Sequence, residues 1–392
     1  MSHPVIFAAE EALNCRLDSL GNLALLDGPR RALLISRAER NPTPATPWIR
    51  DTIAATNALI AAGETLVAGT NRTAWDVALL TCKAKGGAAI VALEDQPRGI
   101  VDPQLVPGNA LTVWPSDSEA LDKSGRLLRR DSLVALLADR AWTICVRESG
   151  NMSMAAELLR ARGCPVENWI DRAAVKADDD ASRKIDESTA PNEIKSAPDF
   201  SFAGRLTHFT REPDRLWPGE LPVERLRWLC SGPNFEPRDG FQALRRILSE
   251  KKLRACSKLI PSSQPMVCFT ARDPIALLAE NRWRKGLRRW TYSPYALSFL
   301  SEDLCTLGAA SVRYVSREEM QATPVKARGF CQIKESSGID WAREMEWRVS
   351  GDVDFSRIEP ARIVALVARA DEARRIEDEF GIRALAIGHR AI

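Results

Sequence analysis

The sequence has few histidines and no closely paired cysteines. Three histidines are too few for most histidine-based metal sites, and the nine cysteines include no Cys-x-x-Cys pair. No apolar run approaches the ~18 residues of a membrane-spanning helix. The first residues lack the basic and apolar segments of a signal peptide. We therefore expect a cytoplasmic protein with reduced thiols, no metal site and no membrane insertion.

The chain is long enough for two or three domains, and its charge is nearly balanced. It has 392 residues, of which 45% are hydrophobic and 27% charged, so it can build full cores. The net charge of +3 neither demands nor excludes a nucleic-acid partner. Residues 173–199 contain very few large apolar side chains and are predicted to be a linker. This predicts one domain at 1–172 and another at 200–392.

Short apolar runs alternate with helical stretches in residues 1–172. The runs lie at 31–36, 64–69, 88–93, 110–114 and 142–146, and the helical stretches at 47–63, 73–87, 130–140 and 152–163. This alternation predicts an α/β domain with a Rossmann-like parallel sheet and helices on both faces. Such sheets bind ligands at the carboxyl ends of their strands.

Small and hydroxyl-bearing residues follow three of these runs. Ser36 and Arg37 follow the first run, residues 69–72 follow the second, and a turn with Ser149 and Gly150 follows the last. The last two turns open helices, whose first backbone N–H groups suit a phosphate. The alternative is that these residues only cap the helices. Three such turns at one edge favour a ligand site.

This order of features resembles the DprA/Smf branch of the SLOG superfamily, relatives of the LOG nucleotide hydrolases. The resemblance rests on LVAGTNRTAWDVAL, GGAAIVAL and the segment from RRDSLVALL to RARGCPV, and covers about residues 20–166. It implies a Rossmann domain that binds a nucleotide, a nucleotide-derived signal or single-stranded DNA. The positions that match the family are Ser36, Arg37, Gly69, Asp76, Arg130, Ser149 and Gly150.

The sequence also departs from the family pattern. Thr70-Asn71-Arg72 stands where DprA proteins have further glycines, and Ile35 stands where the first motif has its glycine. The PGGxGTxxE signature of the LOG hydrolases is absent, so phosphoribohydrolase chemistry is not expected. Arg72 and Arg147 add guanidinium groups for phosphates, although each of the arginines could equally be solvated surface.

The second half mixes strands and helices and is predicted to be a mixed α+β domain. Apolar, strand-like segments lie at 205–212, 264–271, 294–300, 310–316, 344–349 and 361–368, and helical segments at 241–255 and 371–381. The series of segments at about 205–350 resembles AbiGi-type abortive-infection proteins. That resemblance implies an effector domain that acts in defence against phage.

Five residues of this half are candidate catalytic groups. They are His208, Tyr292, Tyr295, Glu344 and Glu346. The two glutamates would face the same side of a strand, where repulsion could raise one pKa. A His–Tyr–Glu set also resembles the ADP-ribosyltransferase arrangement. The alternative is structural: the glutamates pair with neighbouring arginines, and His208 is a hydrogen-bonded core residue. The catalytic hypothesis predicts that His208 and Glu346 share a cleft with one tyrosine.

The segment NRWRKGLRRW at 281–290 combines five basic residues with two tryptophans. This composition is typical of single-strand binding surfaces. Trp283, Leu287 and Trp290 are also spaced as on one face of a helix. We favour an amphipathic helix with these three side chains buried.

The sequence thus predicts a DprA-like sensor domain for a nucleotide or nucleic acid, fused to an effector domain in phage defence. The alternative is a non-enzymatic DNA-processing protein that binds single-stranded DNA and assists recombination. A scaffold without chemistry is a third hypothesis. The sequence identifies no cofactor, leaves enzymatic activity undecided and is compatible with a homo-oligomer.

Overall fold

The protein was analysed as a computed structural model that describes two compact units. The described residues are 3–36, 42–94, 102–116, 129–169, 199–213, 216–232, 234–257, 260, 262–284, 289–334 and 341–387. The first unit contains the residues before 170 together with those of 216–236. The second unit contains 199–213 and the residues from 237 onward. Apart from Asp199, the predicted linker at 173–199 lies outside the described residues.

The first unit is a seven-stranded sheet flanked by helices. Its strands are β1 (Leu17–Gly21), β2 (Arg30–Ile35), β3 (Thr65–Gly69), β4 (Ala88–Ala92), β5 (Asn109–Pro115), β6 (Arg140–Ile144) and β7 (Val166–Asn168). Its helices are α1 (Pro4–Leu13), α2 (Pro47–Ala61), α3 (Thr73–Ala84), α4 (Arg129–Leu137), α5 (Asn151–Ala161) and α6 (Pro222–Leu229). Helix α2 packs against α3, and α4 packs against α5.

The strand order in this sheet is β1-β5-β4-β3-β2-β6-β7. All neighbouring strands are parallel except β1 and β5, which are antiparallel. The chain order reverses at β2, which lies between β3 and β6, and ligands of open α/β sheets bind at such a switch point. The predicted Rossmann-like α/β fold is therefore confirmed, with one antiparallel strand added at an edge.

The central strands are buried on both faces, which explains why they were recognisable in the sequence. Every residue of β3 is buried, and so are all residues of β2 after Arg30. Parallel strands covered by helices on both sides have no solvent face, so they read as continuous apolar runs. β1 is different, because only its first residue is buried.

Helix α6 belongs to the first unit although it follows residue 200. Leu226 and Leu229 lie in the core of that unit, and α6 packs against α3. The Arg227 guanidinium donates a hydrogen bond of 3.0 Å to the side-chain oxygen of Gln104. The sequence-based division into 1–172 and 200–392 did not foresee this helix in the first unit.

The second unit is a mixed α+β structure, as predicted. Its strands are β8 (Arg205–Thr210), β9 (Lys252–Leu253), β10 (Met266–Thr270), β11 (Trp283–Arg284), β12 (Arg289–Trp290), β13 (Tyr295–Leu300), β14 (Ala310–Ser311), β15 (Arg313–Val315), β16 (Cys331–Ile333), β17 (Glu346–Ser350), β18 (Val353–Asp354), β19 (Ile363–Val367) and β20 (Arg383–Ala386). Its helices are α7 (Gly240–Glu250), α8 (Pro274–Ala279), α9 (Ser301–Thr306), α10 (Arg317–Ala322) and α11 (Ala370–Phe380).

Seven of these strands form the main sheet, in the order β14-β17-β10-β8-β13-β19-β20. Neighbouring strands in this sheet are antiparallel, except β19 and β20, which are parallel. Three two-stranded pairs accompany it: β11 with β12, β15 with β16, and β18 with β9. Helices α7 and α11 contact each other, and α7 contacts β13 while α11 contacts β19.

The helix predicted at 281–290 is wrong in the part that the structure describes. Residues 283–284 and 289–290 are the antiparallel strands β11 and β12, with Trp283 opposite Trp290. Tryptophan is favoured in strands, so its presence at both positions is compatible with an antiparallel pair. Leu287 lies outside the described residues.

Candidate functional site

The carboxyl ends of β2 and β6 meet at the switch point of the first sheet. Ser36 follows β2, and its hydroxyl oxygen accepts a hydrogen bond of 3.1 Å from the backbone N–H of Arg147. Arg147 lies in the turn that connects β6 to α5, two residues before Ser149. The structure thus brings Ser36 to the turn that contains Ser149 and Gly150. Arg37 lies outside the described residues.

The neighbouring turn, residues 69–72, follows β3 and opens α3. A Cβ atom on Gly69 would lie 2.3 Å from a ring carbon of Trp75, so only glycine fits at this position. Trp75 is buried, and its indole N–H donates to the carbonyl oxygen of Leu33 at 3.0 Å. Asn71 takes the left-handed conformation, with φ of 62°. This tight turn places Arg72 at the N-cap of α3.

Hydrogen bonds from Arg130 hold the turn at residues 69–72 in place. Its Nη1 donates to the carbonyl oxygen of Thr70 at 2.9 Å, and its Nε and Nη2 donate to Oδ1 of Asp131 at 3.0 and 2.9 Å. The residue is only 5% exposed. Its guanidinium therefore stabilises the turn and is directed at protein acceptors, which differs from the phosphate contact expected from the sequence.

Asp131 joins three elements of this edge and was not among the predicted site residues. Its side chain is fully buried at the start of α4. Oδ2 accepts hydrogen bonds from Nη2 of Arg72 at 3.3 Å and from Nδ2 of Asn151 at 2.9 Å. Asp131 thus connects α4 with the turn before α3 and with the first residue of α5. The only sequence signal was an acidic residue after two arginines at the start of an apolar helix.

The surface above this network offers hydrogen-bond donors. Arg72 is partly exposed, and its buried Nε has no hydrogen-bond partner. The N-caps of α3 and α5, Arg72 and Gly150, make no side-chain cap hydrogen bond. Ser149 and Gly150 are exposed. Because helix N-termini carry partial positive charge, this edge favours an anion.

Asp76, in the first turn of α3, is a titratable group beside the same turn. Burial raises the pKa of its carboxyl group from 3.8 to about 7. The backbone N–H of Asn71 and the charge of Arg130 oppose this rise. Protonated and ionised Asp76 therefore coexist near neutral pH.

His208 is a hydrogen-bonded residue of the second sheet. Its Nδ1 donates to the carbonyl oxygen of Cys268 at 2.8 Å, and its ring contacts that of Phe269 edge-on, with centroids 5.7 Å apart. Burial lowers the pKa of the imidazole below its usual 6.5, so the ring is neutral at neutral pH. These contacts match the structural alternative for this histidine.

The register of the second sheet separates His208 from Glu346. Thr270 of β10 pairs with both Thr207 and Glu346, so these three side chains share one face. His208 follows Thr207, and its side chain therefore projects from the opposite face. The predicted shared cleft of His208 and Glu346 is not formed.

Glu346 instead pairs with a buried arginine. Its carboxylate oxygens accept hydrogen bonds from Nε and Nη2 of Arg348, both at 2.9 Å. Arg348 is 2% exposed and also donates to the carbonyl oxygens of Gly329 and Cys331. The carboxylate therefore neutralises a guanidinium that holds β17 to the segment around β16.

The remaining candidates of this half have different structural contacts. Glu344 ends a 3-10 turn at Trp341–Glu344, and Met345 takes a φ of 45°, so the expected strand alternation with Glu346 is absent. The ring of Tyr292 packs against Phe209, with centroids 4.8 Å apart. The hydroxyl group of Tyr295 donates a hydrogen bond of 3.1 Å to the carboxylate of Glu372, which lies in α11.

Two further observations concern metals and membranes. Across the described ranges, no group of three or more His, Cys, Asp or Glu side chains is arranged to hold a metal ion. None of the helices in that same part of the chain combines the length and apolar character needed to cross a bilayer.

Comparison with known proteins gives similarity in fold. No family model and no curated protein matches the sequence. DNA processing protein A (DprA) from Streptococcus pneumoniae is similar at 16% identity over 39% of this chain and 54% of that protein, with a TM-score of 0.33. DprA from Helicobacter pylori, described for its single-stranded DNA binding mode, is 21% identical over 39% and 70%, with a TM-score of 0.31.

A molybdenum cofactor binding protein from Rippkaea orientalis is also similar, at 15% identity over 36% of this chain and 76% of that protein, with a TM-score of 0.27. The matched part of the chain thus spans about half the length of the pneumococcal DprA. Two DprA proteins, members of the family that residues 20–166 resemble in sequence, are thus among the similar structures. The AbiGi-type resemblance of residues 205–350 stays a prediction.

Proposed function

We propose that the first unit binds a phosphate-bearing ligand, a nucleotide or a nucleotide-derived molecule, at the carboxyl edge of its sheet. The observation that carries this proposal is the hydrogen bonding of Asp131. It holds Arg72 and Asn151, which stand at the starts of α3 and α5, on one buried carboxylate. Two helix N-termini that are not capped by side chains therefore open at one place.

The charges at this edge suit a phosphate. Each helix N-terminus acts as about half a positive charge, and Arg72 adds a guanidinium that can donate two parallel hydrogen bonds. The buried Nε of Arg72 has no acceptor, and leaving such a donor unpaired costs about 1–3 kcal/mol. A phosphate oxygen beside Arg72 would remove this cost. Ser36 and Ser149 add hydroxyl groups at the same edge.

Calorimetric titration of the full chain with AMP and ADP tests the proposal. We expect Arg72→Gln to weaken binding about tenfold, the equivalent of one charged hydrogen bond. Arg140→Gln is the matched control, because Arg140 is similarly exposed but starts β6 at the opposite edge of the sheet. Equal losses in both variants, or binding that neither variant changes, would contradict the proposed position of the ligand.

Single-stranded DNA is the second candidate ligand of this edge. The observation in its favour is that Arg147, in the turn before α5, is exposed and that Arg72, at the start of α3, is partly exposed. Such cations can follow a phosphodiester backbone. The logarithm of the affinity for a labelled oligonucleotide should then fall linearly with the logarithm of the salt concentration. Salt-dependent oligonucleotide binding without AMP or ADP binding would assign the edge to DNA.

We also propose that the second unit is an effector that acts in defence against phage. Its support is the resemblance of residues 205–350 to AbiGi-type proteins. Cells that express the full chain should show reduced phage plaque formation, and truncation after residue 236 should abolish the reduction. Equal plaque counts with and without the full chain would contradict this role.

A further inference from the structure

Trp48, at the start of α2, is a buried tryptophan whose indole N–H is unpaired. The residue is 4% exposed, and among the described residues its Nε1 has no hydrogen-bond acceptor. Trp75, which is also buried, donates its indole N–H to the carbonyl oxygen of Leu33 at 3.0 Å. Trp114 and Trp169 have unpaired indole nitrogens too, but their side chains are partly exposed. Buried polar groups are nearly always hydrogen-bonded, so the unpaired donor of Trp48 requires an explanation.

Helix α2 begins at the same edge of the sheet as α3 and α5. It connects β2 with β3, which are parallel neighbours. Such a connection must bring the chain back along the strands, so α2 starts at the edge where β2 ends. Its 15 residues rise about 22 Å, which is enough to return along the six residues of β2. Because the side chains of a helix lean toward its N-terminus, the indole of Trp48 lies toward the carboxyl edge of the sheet.

The start of α2 has neither a side-chain cap nor an acidic residue. The hydroxyl oxygen of its N-cap, Thr46, accepts a hydrogen bond of 2.9 Å from the backbone N–H of Thr43 and makes no cap bond with the helix. Pro47, the first residue of the helix, has no N–H. The first acidic residue, Asp51, lies in the second turn. The positive end of the helix dipole therefore meets no carboxylate from its own first turn.

We infer that the ligand of this edge is a nucleoside diphosphate, and that the indole N–H of Trp48 at the start of α2 binds its second phosphoryl group. The inference rests on the phosphate site proposed at Arg72. Helices α2 and α3 pack against each other, and packed helices lie about 8–10 Å apart. The second phosphoryl group can therefore reach α2 while the first stays at Arg72. Its oxygen accepts the unpaired N–H, and its negative charge is stabilised by the helix dipole.

Replacing Trp48 by phenylalanine distinguishes the two phosphoryl groups. Phenylalanine keeps an aromatic ring but has no N–H. We expect Trp48→Phe to weaken ADP binding about tenfold, the equivalent of one hydrogen bond to a charged group, and to leave AMP binding unchanged. Trp114→Phe is the matched control, because it removes another unpaired indole N–H from β5, which lies three strands from β2. This control should change the affinity for neither nucleotide.

Calorimetric titration of the full chain and of both variants with AMP and ADP measures these affinities, and melting temperatures check that the variants are folded. Arg72→Gln should weaken the binding of both nucleotides, whereas Trp48→Phe should act on ADP alone. A folded Trp48→Phe protein that loses affinity for AMP and ADP equally, or for neither, would overturn the inference.

Hydrogen–deuterium exchange of the unchanged chain tests the same contact without any variant. We expect ADP, but not AMP, to protect the start of α2 at residues 48–52, in addition to the protection that both nucleotides give at 69–76. Protection at 69–76 by both nucleotides with none at 48–52 would overturn the inference and leave the proposed phosphate site intact. If neither nucleotide binds, the proposed site and this inference are both wrong.

Discussion

Replacing Asp131 by asparagine tests whether one buried carboxylate organises the carboxyl edge of the first sheet. Oδ1 accepts two hydrogen bonds from Arg130, and Oδ2 accepts one each from Arg72 and Asn151. Asparagine has a single oxygen, so its NH₂ group must face some of these donors. Arg130, which is 5% exposed, then loses the carboxylate with which it forms an ion pair.

The expected loss is large because both partners are buried. Removing one member of a buried ion pair costs about 3–5 kcal/mol, since the other charge stays desolvated. We expect the free energy of unfolding of the first unit to fall by about that amount. Urea denaturation of the full chain, followed by tryptophan fluorescence, measures it, because the ring centre of Trp75 lies 5.1 Å from Cζ of Arg130.

Asp139→Asn is the matched control for this measurement. Asp139 also accepts a hydrogen bond from an adjacent arginine, Arg140, at 3.0 Å, but both of these side chains are at least 33% exposed. Its other hydrogen bond, from the backbone N–H of Arg30 at 2.9 Å, can be accepted equally by the oxygen of asparagine. Exposed pairs contribute about 0–1 kcal/mol, so this variant should change stability by no more than that. If Asp131→Asn lowered stability no further than Asp139→Asn, the view of Asp131 as the anchor of this edge would be refuted.

Three further changes have definite expected outcomes. Gly69→Ala should destabilise the first unit by about 1–3 kcal/mol in urea, because its Cβ would overlap a buried indole ring, whereas Gly28→Ala, in open space, should not. The raised pKa of Asp76 means that the folded state holds a proton that the unfolded state releases, so from about pH 4 to 7 stability should fall by up to about 1.4 kcal/mol per pH unit. Asp76→Asn should remove this dependence of the unfolding free energy on pH, which is measured by urea denaturation at several pH values. Glu346→Gln should lower the melting temperature by breaking its pair with Arg348, a loss of about 1–3 kcal/mol, and an unchanged melting temperature would argue against a structural role.

The first sheet was predictable because its strands carry an unambiguous pattern. The predicted run at 64–69 corresponds to β3 (Thr65–Gly69), and the predicted helix at 73–87 to α3 (Thr73–Ala84). β1 was missed because four of its five residues are exposed, so no apolar run marks it. α6 has an ordinary amphipathic sequence, and its association with α3 is a long-range contact that periodicity cannot reveal.

The candidate site was only partly predictable, and for a related reason. Turns at the carboxyl ends of parallel strands lie at one edge of the sheet, so Ser36 and Gly150 could be placed at the same edge from the sequence. That they are close depends on the adjacency of β2 and β6, which the sequence did not predict. The role of Asp131 depends on hydrogen bonds to residues 59 and 20 positions away in sequence. In the second unit, the expected alternation failed at Met345, where a single left-handed residue separates Glu344 from the strand that contains Glu346.

The return of α6 to the first unit constrains how this protein can be divided or recombined. The chain contributes 199–213 to the second unit before it supplies 216–236 to the first, so neither unit is one continuous segment. A fragment that ends at residue 172 would lack Leu226 and Leu229 and would expose the apolar surface that they cover. A gene fusion that exchanges the second unit at residue 200 would carry the same defect. A working exchange of the second unit must therefore keep residues 216–236 with the first unit.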